Sequence, residues 1–219
     1  MSHINNEYIT SFIEFLAEDM DFLEIRKFAE KNHVPIMKTE TKEFLKSLVL
    51  IAKPKSILEI GTAIGYSSLV FDKYTNAQIT SIELSEDMAK IARGNFKKYQ
   101  ANINLINDDA EKALTKINQG FDFVFIDANK ANYKFYFDYV DKHLLNKGGI
   151  IVADNILFRG EVCNDDLIEK RKITIVKRLR NFLAYITRRE DYNTSIVPIG
   201  DGLSISYKEN WWIKIKLNC

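Results

Sequence analysis

The stretch "SILEIGTAIGYSS", residues 56–68, runs from a short apolar strand through two glycines four apart into a helical pattern. Gly61 lets the backbone turn sharply, and Gly65 lets a ligand approach the helix start. The turn is neither GxGxxG nor a P-loop, because no GK[ST] follows it. Glu59 stands just before the turn. A second acid, Glu83, ends the next apolar run, roughly twenty residues on, where adenosine-binding sheets place a ribose acceptor.

Downstream, the pattern repeats as strand and helix. The apolar runs "QITSIEL" (78–84), "INLIN" (103–107), "FDFVFID" (121–127) and "GGIIVAD" (148–154) are separated by helical stretches at 65–74, 85–100, 109–118 and 131–145. Short, near-continuous apolar strands between helices predict a parallel sheet covered on both faces. "TSIVPIGDGLSISYK" (194–208) alternates on either side of "GDG" and reads as a hairpin. Upstream, Ile9, Phe12, Ile13 and Leu16, then Phe22, Leu23, Ile25 and Phe28, recur at helical spacing, which predicts two helices broken near Asp19–Asp21. A further helix spans about Thr39 to Ala52 and stops at Pro54. The expected fold is α/β: a doubly wound, Rossmann-like sheet at 53–208 with an antiparallel C-terminal hairpin. A helical N-terminal extension, 1–52, completes a single domain over 1–219.

In such sheets, ligands bind outside the carboxyl ends of the strands. A dinucleotide pyrophosphate would face Glu59 at close range, an unfavourable pairing. S-adenosylmethionine suits both acids, with its sulfonium and ammonium near the turn and ribose hydroxyls for Glu83. The competing reading makes Glu59 a helix-start carboxylate and Glu83 a solvated loop residue. The fourth strand ends at Asp127 with Lys130 one turn later, and the fifth ends at Asp154–Asn155. Carboxylate and amide oxygens without His or Cys suit a hard cation such as Mg²⁺ or Mn²⁺. Helix capping is the bland alternative for these residues.

Composition narrows the class. The 219 residues are 46% hydrophobic and 28% charged, with net charge +1, so overall charge does not argue for nucleic acid. The two cysteines, Cys163 and Cys219, form no CxxC pair, which fits a reducing cytoplasm. Cys163 reads as a small buried residue. His3, His33 and His143 lie outside the motifs. No apolar run reaches membrane-spanning length and the N-terminus lacks a signal-peptide pattern, so a cytoplasmic protein without membrane contact is expected.

"LEIGTAIGYSS", "SIEL", "FDFVFIDANKANY" and "GGIIVADNILFRG" resemble the divalent-cation-dependent O-methyltransferases of the catechol and caffeoyl-CoA type. The resemblance runs from about residue 35 to 207. Within that family, "VPIMKTET", "EIGTAIGYS" and "DNILFRGEV" look most like the bacterial tRNA 5-hydroxyuridine methyltransferases. The resemblance implies Asp127, Asp154 and Asn155 as metal ligands and Lys130 as the residue that takes the hydroxyl proton. It implies Met37, Glu59, Gly61, Ser67, Glu83, Asp109, Ala110 and Asp127 around the cofactor. "NDDAEKAL" departs from the family's usual Gly-Asp-Ala, which leaves open whether Asp108 or Asp109 points inward.

The acceptor stays open between 5-hydroxyuridine in a tRNA anticodon loop and a small catechol-type molecule, since both present two adjacent oxygens. A nucleotide-binding module without catalysis is the third class, and the intact Asp127, Lys130, Asp154 and Asn155 argue against it. Residues 169–190 hold eight basic side chains and two acids. Ile173, Val176, Leu179, Leu183 and Ile186 form the predicted packing face, so the cations are either a solvated surface or an RNA-binding strip. Arg159, after the predicted metal ligands, is placed either to touch a substrate phosphate or to serve a structural role. Phe12, Phe15, Phe22 and Phe28 exceed what one helix face needs, and with the resemblance they point to a homodimer.

Overall fold

The computed structural model describes residues 6–17 and 20–209. The predicted alternation is realised as helices α1 (Glu7–Ala17), α2 (Leu23–Lys31) and α3 (Thr39–Ala52), followed by β1 (Ser56–Ile60), α4 (Tyr66–Tyr74), β2 (Gln78–Glu83), α5 (Glu86–Tyr99), β3 (Ile103–Asn107) and α6 (Ala110–Lys116). After these come β4 (Phe121–Ile126), α7 (Tyr133–His143), β5 (Leu145–Ala153), α8 (Ile173–Thr187), β6 (Tyr192–Val197) and β7 (Leu203–Lys208). The strands form one mixed sheet in the order β3-β2-β1-β4-β5-β7-β6. The reversal of order at β1 is the doubly wound topology expected from the sequence. By contact density the described residues divide into two compact units, 6–17 with 20–117 and 118–209.

In the first unit β1, β2 and β3 are parallel, with Ser56 opposite Gln78 and Glu83 opposite Asn107. Ile57, Leu58 and Ile60 are fully buried, and each such side chain contributes about 1.5–3 kcal/mol by leaving water. Ile64, Leu69, Val70, Ala92 and Phe96 form a core cluster with Ile25 and Ala29 of α2. Side-chain caps open two of the helices in this unit. Ser85 accepts the Met88 N–H at 3.3 Å to open α5, and Asp109 accepts the Glu111 N–H at 2.9 Å to open α6. The buried Lys42 pairs with Asp21 at 3.5 Å and Glu43 at 2.9 Å. Asp21 also takes the Tyr74 hydroxyl at 2.5 Å and the Lys73 ammonium. The predicted break between α1 and α2 is present, although residues 18 and 19 lie outside the described residues. α1 packs against α3 and leaves Tyr8, Phe12, Phe15 and Leu16 exposed.

In the second unit β4 runs parallel to β5, and β7 returns antiparallel to β5 with β6 as its hairpin partner. The "GDG" hairpin is therefore as read. β5 begins at Leu145, earlier than "GGIIVAD" suggested, because Leu145 pairs with Phe121 across a bulge. α8 buries Val176, Leu179, Phe182 and Ile186, while Ile173 is exposed. The predicted stripe missed Phe182, whose ring meets Tyr133 and Phe137 edge-on at centroid distances of 5.8 and 6.0 Å. Cys163 is exposed rather than buried, because it follows Gly160 out of the loop that Val162 anchors. Among the described residues, no helix is long and apolar enough to cross a membrane.

Candidate active site

At the carboxyl end of β1 the chain turns back on β2. Gly61, at φ 106°, and Thr62 both donate their N–H to the Ile82 carbonyl, at 2.9 and 3.2 Å. Beneath the turn, Glu59 is fully buried and takes hydroxyls from Ser67, Ser68 and Ser81, the last at 2.5 Å. A buried carboxylate must be saturated in this way to stay ionised at low cost. Glu59 and Ser67 thus hold the turn's shape from below. The two serines beside Ser67 in this arrangement, Ser68 and Ser81, were not singled out in the sequence.

Glu83 ends β2 and grips the same turn from above. Its Oε2 accepts the Ala63 N–H at 2.7 Å and its Oε1 the Ser85 N–H at 2.8 Å. Each carboxylate oxygen keeps a further lone pair, so Glu83 can still accept ribose hydroxyls. Next to it, the Asn107 amide and the Asp108 N–H both donate to the Glu83 carbonyl, at 2.8 and 3.1 Å. Asp108 is tied to the exposed Lys116 at 2.6 Å, whereas Asp109 caps α6 and Ala110 is its first residue. Met37 packs against the cluster that includes Ile64 and Tyr66. Gly65 behaves differently from the expectation. A Cβ there would lie 2.4 Å from the Phe96 ring, so the close approach it permits is that of α5 rather than of a ligand.

The second set of residues sits at the ends of β4 and β5. Asp154 donates its N–H to the Ile126 carbonyl at 2.9 Å, which brings the two strand ends into register. The Asn155 side-chain amide donates to Asp127 Oδ1 at 2.9 Å, and the Asn155 N–H donates to Asp154 Oδ1 at 2.5 Å. Burial pushes the Asp127 carboxyl up against the opposing Lys130 charge and Asn155 hydrogen bond. Burial, then the Asp127 charge, pushes Asp154 up to about 8. Two carboxylates that repel each other, one buried and one half-buried, want a cation between them. The donor set fits a hard divalent ion: two carboxylates and the Asn155 Oδ1, whose amide N–H already serves Asp127. Among the described residues no three His, Cys, Asp or Glu side chains cluster as a metal site, so the amide is needed to complete a set of three donors.

Sequence reasoning missed Tyr133. It is fully buried, and its hydroxyl donates to the Asp154 carbonyl at 2.9 Å, linking the strand end to Phe182 of α8. Its signal was available as the aromatic closing "ANKANY". Lys130 opens a short 3-10 turn, Lys130–Asn132, that Asn129 caps. Its ammonium lies 5.9 Å from the Phe158 ring centroid. A cavity of about 330 Å³ is lined by Lys130, Phe158, Arg159, Lys172, Glu169 and Asp201, among others.

Half of the basic strip is engaged by acids of the same chain. Arg171 and Lys172 pair with Glu169, Arg180 with Asp165, and Arg189 with Asp141 and Asp191. Arg178 donates to the Ala131 carbonyl at 3.4 Å. Among the described residues, Lys170, Lys177, Arg188 and the exposed Arg159 carry no ion pair.

Residues 14–209 match the model of the O-methyltransferase family. A probable caffeoyl-CoA O-methyltransferase of Dictyostelium discoideum is 28% identical over 221 residues, covering 93% of this chain and 94% of that protein. A crystal structure from Staphylococcus aureus superposes with a TM-score of 0.87 at 32% identity, covering 92% of this chain and 100% of that one. The O-methyltransferase of Bacillus cereus, solved in complex with SAH, superposes with a TM-score of 0.80 at 26% identity, covering 92% and 97%.

Proposed function

The chain belongs to the O-methyltransferase family, and from that premise we propose that it methylates a hydroxyl whose neighbouring carbon carries a second oxygen, using S-adenosylmethionine and Mg²⁺ or Mn²⁺. The observation that carries the reading is the pair of carboxylates, half-buried Asp127 and buried Asp154, which Asn155 links through its side-chain amide and its backbone N–H. When bound, S-adenosylmethionine supplies the methyl electrophile, and a cation held by Asp127, Asp154 and Asn155 supplies the Lewis acidity that eases ionisation of the acceptor hydroxyl. Glu83 accepts the ribose hydroxyls, and Met37, Asp109 and Ala110 border the rest of the cofactor. Lys130 Nζ takes the proton from the acceptor hydroxyl. Tyr133 keeps the Asp154 backbone in place.

The acceptor we favour is 5-hydroxyuridine at the wobble position of tRNA, giving 5-methoxyuridine. An anticodon base is unpaired and can enter a pocket without breaking a duplex. The cationic lining of the cavity beside Lys130 and the unpaired Arg159 and Lys177 suit the flanking phosphates. The second reading is a caffeoyl-CoA-type acceptor. It draws on the names of the relatives and on the same cavity, since such an acceptor also carries phosphates. The protein would work in the cytoplasm as a homodimer, its partner copy covering the exposed apolar side chains of α1. The deciding experiment offers 5-hydroxyuridine-containing tRNA and caffeoyl-CoA in parallel and reads the products by mass spectrometry. Methylation of caffeoyl-CoA with tRNA left untouched replaces the first reading with the second.

A further inference from the structure

The loop that follows Asp154 has an unusual backbone. Asn155, Phe158 and Arg159 have φ of 57°, 48° and 58°, a left-handed region that residues with side chains rarely adopt. Such a conformation persists only where surrounding contacts over-determine it. Here the contacts come from the turn between β6 and β7. The Ile156 N–H donates to the Gly202 carbonyl and the Leu157 N–H to the Asp201 carbonyl, each at 3.0 Å. The Arg159 N–H donates to the Asp201 carboxylate at 2.7 Å, the one side-chain contact in this set. Gly202, at φ 89°, lets the turn press against Leu157, whose Cγ would lie 2.3 Å from a Cβ there.

We infer that Asp201 is a positioning residue, whose carboxylate fixes the Asn155–Gly160 loop so that Asn155 faces the cation and Arg159 faces the cavity. The inference rests on the reading of Asp127, Asp154 and Asn155 as cation ligands. Asp201 touches neither cofactor nor reacting atoms in this scheme. Its hydrogen bond holds Arg159, the last of the three left-handed residues, directly, whereas the loop's own bonds, Gly160 N–H to the Leu157 carbonyl and Glu161 N–H to the Phe158 carbonyl, leave the Arg159 N–H unbound. Its negative charge is a separate contribution. An asparagine at 201 removes that charge and keeps an oxygen that can accept the Arg159 N–H, so the two contributions can be told apart.

The test uses the full chain as wild type, Asp201→Ala, Asp201→Asn, Gly202→Ala and Asp154→Ala. Amide hydrogen exchange reads the loop without any ligand, and calorimetric titration with Mn²⁺ reads the site. Asp201→Ala should speed exchange across residues 156–160 and weaken Mn²⁺ binding by about tenfold or more, the range typical of residues that orient metal ligands. Asp201→Asn should stay within about threefold of wild type on that scale. Gly202→Ala, which displaces Leu157 without altering a carboxylate, should weaken Mn²⁺ binding as well and serves if Asp201→Ala does not fold. Wild-type exchange and Mn²⁺ affinity in Asp201→Ala would overturn the inference, as would Asp201→Asn behaving like Asp201→Ala. If Asp154→Ala binds Mn²⁺ as tightly as wild type, the cation reading itself fails and the inference falls with it, even where the exchange data show the loop loosened.

Discussion

The carboxylate of Glu83 closes the turn after β1 by accepting the Ala63 N–H at 2.7 Å. The acid assigned to the ribose therefore also shapes the turn in front of it. Ala63 is itself left-handed, at φ 47°, and this bond is what holds it there.

Replacing Glu83 should consequently have two effects. Glu83→Ala should weaken S-adenosylmethionine binding by about 1.5–3 kcal/mol, the loss of a charged hydrogen bond, and should lower the melting temperature as well. Calorimetry and thermal unfolding on the same samples measure the two. Unchanged cofactor affinity removes Glu83 from the cofactor site, whatever happens to stability.

Chelation should separate turnover from cofactor binding. EDTA should abolish methyl transfer, and Mg²⁺ or Mn²⁺ should restore it, while S-adenosylmethionine binding largely survives. Asp154→Ala and Asn155→Ala should each lose activity with the circular dichroism spectrum intact. Full turnover in chelator defeats the cation mechanism.

Asp21 should make a distinct contribution at low pH. Burial pushes its carboxyl up, but hydrogen bonds from Lys73 and Tyr74 and the Lys42 charge outweigh it and bring it from 3.8 to about 2. A depressed folded-state value means stability that is fully present above about pH 4 and disappears as the pH falls towards 2. Asp21→Asn should therefore be destabilised at pH 7 by about 1–2 kcal/mol, after allowance for solvent screening. Denaturant melts should show the gap between variant and wild type narrowing between pH 4 and 2. A gap that stays constant across that window means Asp21 stabilises by some route other than its charge.

The exposed side of α1 predicts the state of association. Phe15 is 74% exposed and Tyr8 86% exposed, on an element already packed against α3 by its other side. Light scattering at micromolar concentration should give a dimer, and Phe15→Asp should shift it towards monomer. A wild-type monomer means these rings serve no copy of the chain.

How far the sequence could be read depended on whether a signal was local. The strand ends carrying Asp127 and Asp154 were legible because the near-continuous apolar runs "FVFI" and "IIVA" each end at an aspartate. The hairpin around "GDG" was legible from alternation alone. Phe182 was missed in favour of Leu183 because neighbouring apolar residues on a helix differ by only 100° and periodicity tolerates either. Cys163 was misplaced because residue type predicts burial only on average, and its neighbour Val162 had taken the inward position. Asp201 gave no sign of its contact with Arg159, since 42 residues separate them and no pattern within either segment refers to the other. Glu59 was read as an acid facing a ligand. Its three serine partners come from α4 and β2, which only the fold brings together.

The seam between the Ile156–Arg159 loop and the Asp201–Gly202 turn also sets limits on recombining this chain with its relatives. Grafting a foreign loop after Asn155 to alter acceptor choice would leave it facing a turn fitted to a different neighbour, with Leu157 as the point of misfit. A chimera with a crossover between residues 161 and 197 would inherit the two halves of this seam from different parents. The two segments form one module for exchange, so transplants that carry both should express and fold where loop-only transplants do not.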